Sequence, residues 1–295
     1  MSLVWWVGAL VSTARAEPAE EPAAEATAPP APYSLPWQLR PLSVGTVVRS
    51  DTSLALYDDG ADGGATVAST LLVSAAVTPT FAPLVRLALV HDGPAAGTAL
   101  VNPLVGAVWA VKSDAWRGSG LLGASVPVGM GGGADPAPTA AAAAGKGIPA
   151  RAAMDNALFA VNFFTLLAGA DAGWVSGGAT LQVELTVLQL FHVRGPSTED
   201  ARRTNLTAGF HAGYALRPWL SVGGELRHQR WLSTPAAVAE DPALRDTKTV
   251  ALGPRLHLRA GELWIRPGVS YAVPLDAPLA PSGYRILQLD VPVVF

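Results

Sequence analysis

The sequence predicts an all-β fold in which antiparallel strands, connected up and down, close into a transmembrane β-barrel. Three observations lead to this prediction. Of the 295 residues, 50% are hydrophobic and only 15% are charged, and the mean hydropathy of +0.31 is high for a water-soluble domain. Segments of alternating apolar and polar residues follow one another along most of the chain. The connections between them alternate between short and long, which is typical of barrels in the bacterial outer membrane.

Composition excludes several other classes of protein. A membrane-spanning helix needs roughly 18 to 20 apolar residues, and the best internal candidate, 157–170, is shorter and contains Asn162. A net charge of -3 offers no basic surface for nucleic acid. The chain has no cysteine, which excludes disulfides, thiol catalysis and thiolate metal sites.

The N-terminal region has the features of an exported protein. The apolar run "LVWWVGALV" precedes the small-x-small site "ARA" at 14–16, which predicts a cleaved signal peptide over 1–16. The alternative is a buried core segment, and the true start codon is left open because no Lys or Arg precedes the apolar run. Residues 17–35 are rich in Pro, Ala and Glu and predict a disordered linker, which leaves 36–295 for the barrel.

Twelve alternating segments predict twelve strands. They cover residues 42–57, 65–77, 84–92, 100–112, 116–129, 165–175, 179–193, 204–216, 220–232, 247–259, 263–274 and 284–295. Every second connection is short ("TPTFAP", "SDA", "SGG", "RPW", "AGE"), whereas the others are longer and polar or rich in Gly and Pro. Short turns face the periplasm in outer-membrane barrels, so an even strand count places both ends of the barrel domain on the periplasmic side.

The chain ends on "LQLDVPVVF", in which apolar residues alternate up to Phe295. Chain ends are usually frayed and polar, so this pattern predicts that the last strand is fully used. We expect it to pair with the first strand at the periplasmic rim, which leaves no open edge. The terminal aromatic residue predicts an assembly signal for the outer-membrane insertion machinery.

Tryptophan positions favour a membrane barrel over a soluble sandwich, which alternation alone does not distinguish. Five tryptophans fall at predicted periplasmic strand ends, one lies near such an end and one lies at an outer end. The five at periplasmic ends are Trp37, Trp116, Trp174, Trp219 and Trp264; Trp109 lies near such an end, and Trp231 lies at the outer end. Gln189 falls on the lipid-facing phase and predicts a bulge or a misplaced strand boundary.

Residues 36–295 resemble the outer-membrane barrels of Gram-negative bacteria. Stretches such as "SVGGELRHQRWLS" and "VALGPRLHLRAGELWIRPGVSYAVPLD" are similar to the transporter group of meta-pathway phenol-degradation proteins. The resemblance implies an outer-membrane location and the passage of small molecules, hydrophobic ones among them. It implies no catalytic motif.

Twelve strands predict a narrow lumen, between plugged eight-stranded barrels and open porins. The charged residues and one histidine on the inward phase are Arg49, Asp51, Arg86, Asp171, Glu184, Glu225, Arg227, Arg255, His257, Arg259, Arg266 and Asp290. They either pair across the lumen and hold the barrel rigid or line a selective pore. The cluster of Arg255, Arg259 and Arg266 predicts a weak preference for anions, unless it only neutralises nearby carboxylates.

The longest predicted loop, 130–164, is extracellular. Met154, Leu158 and Val161 are spaced i, i+4, i+7, which predicts a short amphipathic helix. Such a helix either enters the lumen and constricts it or rests on the outer rim.

We therefore expect a non-enzymatic outer-membrane channel or transporter for small molecules, with outer-membrane lipid as its surroundings. One alternative is a rim hydrolase, for which "YDDG" and "VHDG" supply Asp58, Asp59, His91 and Asp92, although Asp-Gly is also ordinary turn chemistry. The other is a plugged structural or adhesive barrel. The histidines show no metal-ligand spacing and no glycine-rich loop joins a strand to a helix, so no metal or cofactor is expected.

Overall fold

The computed structural model describes residues 33–58, 63–196 and 200–295. The predicted signal peptide and most of the predicted linker lie outside the described residues. Fifteen strand segments occur within them. They are β1 (Val47–Tyr57), β2 (Gly64–Ser74), β3 (Phe81–Asp92), β4 (Gly97–Leu100), β5 (Leu104–Ser113), β6 (Trp116–Ser125), β7 (Phe163–Ser176), β8 (Ala179–His192), β9 (Arg202–Arg217), β10 (Leu220–Trp231), β11 (Asp246–Leu256), β12 (Leu258–Ala260), β13 (Leu263–Ile265), β14 (Gly268–Pro274) and β15 (Arg285–Val294).

These segments form a closed antiparallel barrel. β1 pairs with β2 on one side and with β15 on the other, in a register that runs from Val47–Val294 to Leu56–Arg285. β4 is a short extra strand that pairs only with β3. Two wall strands are interrupted: one consists of β11 and β12, and the next consists of β13 and β14. The barrel therefore has twelve wall strands, as the sequence predicted.

The two faces of the wall have opposite chemistry. Along β8, Leu181, Val183 and Leu185 are exposed, while Gln182 and Glu184 between them are buried. Because strand side chains alternate, the apolar set forms the exterior and the polar set faces the interior. A closed barrel leaves no backbone edge unpaired and suits a lipid exterior. The described residues therefore have the architecture of a transmembrane β-barrel.

The connections alternate in length as the sequence predicted. One of the two-residue turns lies between β7 and β8, where Gly177 and Gly178 have φ angles of 56° and 83°, the left-handed conformation that a two-residue hairpin favours. The helices lie in the long connections of the opposite rim. They are α1 (Pro138–Ala150), α2 (Asn156–Phe159), α3 (Ala236–Glu240) and a 3-10 turn at Pro242–Arg245. No helix among the described residues is long and apolar enough to span a bilayer.

The first strand begins later than predicted. It starts at Val47 rather than residue 42, and the residues before it pack inside the barrel. Trp37, predicted to sit at a periplasmic interface, is only 1% exposed and lies in the lumen, so that prediction was wrong. Trp116 and Trp219 are exposed at the short-turn rim.

Two local predictions were also wrong. Gln189 causes no bulge, because β8 keeps regular register there and the outward-facing amide accepts a 2.8 Å hydrogen bond from Thr204 Oγ1. In the long loop the main helix is α1, upstream of Met154, and only the single turn α2 falls within the predicted helical stretch. Alanine-rich composition, rather than amphipathic spacing, marks the helix.

Candidate functional site in the barrel lumen

The inward side chains form a buried polar interior. Nine of the twelve residues predicted to face inward are nearly inaccessible: Arg49, Asp51, Asp171, Glu184, Glu225, Arg227, Arg255, His257 and Asp290. Arg86 and Arg266 are partly buried, and Arg259 is exposed within β12. Because these inward side chains are inaccessible to solvent, other parts of the chain must pack against them inside the lumen.

One filling element is the N-terminal segment, residues 33–46. Its backbone is held by inward side chains of the wall: the Trp37 amide donates to Glu225, Arg49 donates to the Leu39 carbonyl at 3.3 Å, and Gln288 donates to the Trp37 carbonyl at 3.3 Å. An irregular backbone in a lumen needs such partners because its amides and carbonyls have none in a strand ladder.

Glycines of the wall leave room for the N-terminal segment. A Cβ at Gly173 would lie 2.1 Å from Leu42 Cδ1, and one at Gly209 would lie 2.7 Å from Leu39. Neither distance is compatible with a side chain larger than hydrogen. The glycines that face the N-terminal segment in this way are Gly169, Gly173, Gly209, Gly213 and Gly268. The wall is thus shaped to this segment.

Arg40 of the N-terminal segment forms ion pairs with two carboxylates. Its Nε lies 3.0 Å from Asp171 Oδ2, its Nη1 lies 3.4 Å from Glu184 Oε1, and its backbone amide donates to Glu184 Oε2 at 2.6 Å. Two buried carboxylates facing each other on β7 and β8 would repel without this cation. Arg40 therefore reduces the repulsion between the two carboxylates.

The second filling element is the long loop, residues 126–162, which connects β6 and β7 and contains α1 and α2. Arg151, at the end of α1, is fully buried; it donates to Asp51 and Ser53 of β1 and, at 2.8 Å, to Asp155 Oδ2. Asp155 in turn accepts from Arg86 of β3. Since Asp51 and Arg86 face inward, the long loop enters the lumen, which resolves the alternative left open by the sequence.

Asp155 is held as an anion inside the barrel. Burial opposes its ionisation, but the guanidinium groups of Arg86 and Arg151 outweigh that effect and lower its pKa to about 2. The same two carboxylates, Asp51 and Asp155, raise the pKa of Arg151 despite its burial. We call the four side chains Arg151, Asp51, Asp155 and Arg86 the loop latch.

The two filling elements contact each other. Gln38 Nε2 of the N-terminal segment donates to the Arg151 carbonyl of the long loop at 3.1 Å. A cavity of about 140 Å³ remains between these elements and the wall. Its wall is formed mainly by Leu72, Leu84, Val108, Leu121, Leu167 and Leu188, with Met154 and Leu158 contributed by the long loop. Charged groups also line it, Arg40 and Glu184 among them.

Most inward cations have a carboxylate partner. Asp290 accepts from Arg49 Nε at 2.6 Å and from Arg255 Nη2 at 2.5 Å, and Glu225 accepts from Arg227 Nε at 2.8 Å. Arg227 is therefore neutralised, whereas Arg255, one of the three cations that predicted anion preference, shares the single charge of Asp290 with Arg49. The partners lie on one strand or on strands one or two apart, so these charges pair with each other along the wall and do not line an open pore.

The residues of the predicted rim hydrolase do not assemble. His91 faces outward with Nδ1 2.9 Å from Thr98 Oγ1, whereas Asp92 faces inward. Neighbouring residues of one strand point to opposite faces, so this pair cannot share a substrate. Asp58 is exposed beside the loop before β15, and Asp59 lies outside the described residues.

Two serine–histidine contacts occur inside the barrel. Ser34 Oγ lies 3.2 Å from His211 Nε2, and Ser221 Oγ lies 2.9 Å from His257 Nε2. All four side chains are almost fully buried, so neither pair is open to a substrate, and the first pair anchors the N-terminal segment. No group of three or more His, Asp or Glu side chains suited to a metal ion occurs among the described residues.

The sequence missed Arg40, Arg151 and Asp155. None of them lies in an alternating segment, and Arg40 precedes the first predicted strand, which begins at residue 42. The i, i+4 spacing of Arg151 and Asp155 is the one local signal of an ion pair, but their partners on β1 and β3 are distant in sequence.

No protein-family model and no curated protein matches this sequence. Solved structures do match the fold. A NanC porin aligns with a TM-score of 0.50 at 7% identity, covering 84% of this chain and 98% of that chain. An outer membrane channel from Pseudomonas putida F1 aligns at 0.48 and 12% identity, covering 88% and 98%, and a KdgM porin aligns at 0.44 and 12% identity, covering 84% and 99%.

Proposed function

We propose that the protein is an outer-membrane channel for small molecules and that the structure represents its closed state. The observation that carries the proposal is the pair of lumen-filling elements around an apolar cavity. Hydrogen bonds and ion pairs hold both elements, rather than a continuous sheet, and such contacts are reversible. Displacing the N-terminal segment would connect the cavity to the periplasm.

The permeant that fits this lumen is small and largely hydrophobic. Apolar side chains, mainly leucine and valine, outnumber the charged ones in the cavity lining, which also includes Arg40, Arg86 and Glu184. Ligand sites of this kind bind an apolar body and orient it with a few polar contacts. A permeant with one polar group at the end of an apolar body satisfies both surfaces.

The competing function is a plugged structural barrel. It is favoured by the wall glycines, against which the N-terminal segment packs closely, and by the buried loop latch. The two functions differ in whether the elements ever leave the lumen.

Single-channel recording of the refolded protein tests this. Gly209→Leu places a side chain where Leu39 lies and should expel the N-terminal segment, so the fraction of time spent conducting should rise. Gly224→Leu, on the outward face of the neighbouring strand β10, is the matched control and should leave conductance at the wild-type level. If neither the wild type nor Gly209→Leu conducts, the barrel is structural.

A second experiment tests the hydrophobic cavity. Ala82 faces it and is 2% exposed; Ala82→Trp should fill it and abolish binding of an apolar fluorescent probe. Ala107→Trp, at an outward position of the neighbouring strand β5, is the control and should retain binding. Equal binding by the two variants would show that the probe sits in the detergent or on the exterior.

A further inference from the structure

Charged side chains interrupt the apolar exterior at one place near the long-loop rim. His228 and Arg230 of β10 and Lys248 of β11 alternate with buried inward residues and therefore face outward. The side chains of Arg230 and Lys248 are 47% and 45% exposed. Arg285 of β15 is also exposed and faces outward two wall strands away. We call these four residues the outer cationic patch.

The height of the patch places it at the edge of the lipid-facing belt. From Leu220 at the short-turn rim to His228, the strand rises roughly 26 Å at about 3.3 Å per residue, or about 20 Å along the membrane normal at a tilt of about 40°. Lys248 pairs directly with His228, and so lies at the same level. The apolar belt of such barrels is about 25 Å tall. Long cationic side chains at this level reach the outer headgroup layer.

The patch is confined to one arc of the barrel. Elsewhere around the wall, outward residues near this level carry no permanent charge: His91 and Gln189 are polar, and the others are apolar, among them Leu54, Val67, Leu89, Ala124, Leu166, Val187 and Ala208. A uniform belt of cations would be a general interfacial feature. A single arc indicates a local binding surface.

Within the patch the cations contact two carboxylates. Asp246 lies 2.8 Å from His228 Nε2 and 3.1 Å from Arg230 Nη1, and Asp276 lies 2.9 Å from Lys248 Nζ. Ion pairs as exposed as these contribute little to stability. They fix the orientation of the cations, and the three permanent cations Arg230, Lys248 and Arg285 still outnumber the two carboxylates.

We propose that the outer cationic patch binds a phosphate group of a phosphorylated glycolipid in the outer leaflet. Arg230 supplies a planar guanidinium able to donate two hydrogen bonds to one phosphate, and Lys248 supplies a second charge from the neighbouring strand. The small side chain of Ala208 beside His228 leaves the acyl chains access to the wall below. The lipid phosphate is the occupant because the surface faces the bilayer and not the solvent.

The test compares two lipids on the intact protein. Detergent-purified barrel is incubated with bis-phosphorylated lipid A or with the dephosphorylated lipid of identical acyl chains, and bound lipid is counted by native mass spectrometry. We expect at least tenfold tighter binding of the phosphorylated lipid. The double variant Arg230→Gln, Lys248→Gln should lose this preference.

The control variant is Lys112→Gln, Arg217→Gln, which removes two exposed cations at the short-turn rim. It should retain the full preference for phosphate. Equal affinity of the wild type for the two lipids overturns the proposal without any variant. Loss of the preference in the control as well would also overturn it, because the effect would then follow net charge and not the patch.

Discussion

The loop latch gives a quantitative prediction. Replacing Arg151 by Met removes its hydrogen bonds to Asp155 Oδ2 (2.8 Å), to Asp51 Oδ1 (2.8 Å) and to Ser53 Oγ (2.9 Å), while keeping much of the side-chain volume. Removing one partner of a buried ion pair costs about 3 to 5 kcal/mol because the other charge stays buried.

The expected cost lies at the low end of that range. Asp155 keeps Arg86, and Asp51 keeps the Gln288 amide at 2.8 Å, so neither carboxylate is left without a partner. A loss of about 3 kcal/mol changes an equilibrium roughly 100-fold. We expect Arg151→Met to increase the fraction of molecules with the long loop out of the lumen by about that factor.

Two assays measure this. Limited proteolysis of the long loop in intact outer membranes should be roughly 100-fold faster, and single channels should open more often. The double variant Arg151→Met, Asp51→Leu removes both the arginine and a buried carboxylate that it would leave behind, and should regain much of the protection. If Arg151→Met is cleaved at the wild-type rate while its barrel stays folded, the latch does not hold the loop and the reasoning fails.

Three further predictions follow from the same structure. The pKa of Asp155 is lowered in the folded state, so its contribution is complete above the ordinary aspartate pKa of about 3.9 and is lost as pH falls towards 2; loop proteolysis should be constant from pH 7 to about 4 and rise below it. Replacing Arg255 and Arg259 by Gln should move the reversal potential in a salt gradient towards cations, and an unchanged potential would mean that both are only structural. Deleting Phe295, which is 64% exposed and bonded through its amide to the Thr46 carbonyl at 3.0 Å, should leave protein in the periplasm with little effect on a folded barrel, as measured by cell fractionation.

The wall was predictable because its signal is local. Alternation along β8 and the short turn at Gly177 and Gly178 are each visible within a few residues. The lumen was not predictable in the same way. Trp37 and Arg40 lie in a stretch without alternation, and their positions are decided by Glu225 and Asp171 far along the chain.

The charges in the lumen illustrate the same limit. Phase alone assigned Arg255 and Asp290 to the interior, and both are buried there. The alternation of side chains along a strand could not distinguish a pore lining from an ion pair, since the distinction depends on distances between different strands. The sequence therefore left the two alternatives open, and the 2.5 Å contact favours pairing.

The position of the N-terminal segment also constrains the order of assembly. The segment leads directly into β1, which forms the seam with β15, and its contacts reach Asp171 on β7 and Glu225 on β10, on other parts of the wall. If the seam closed first, the segment would have to thread backwards into a finished cylinder. Closure with the segment already in place avoids this, so the N-terminal segment would act as an internal template around which the sheet curls. Its loss would then affect assembly as well as the finished barrel.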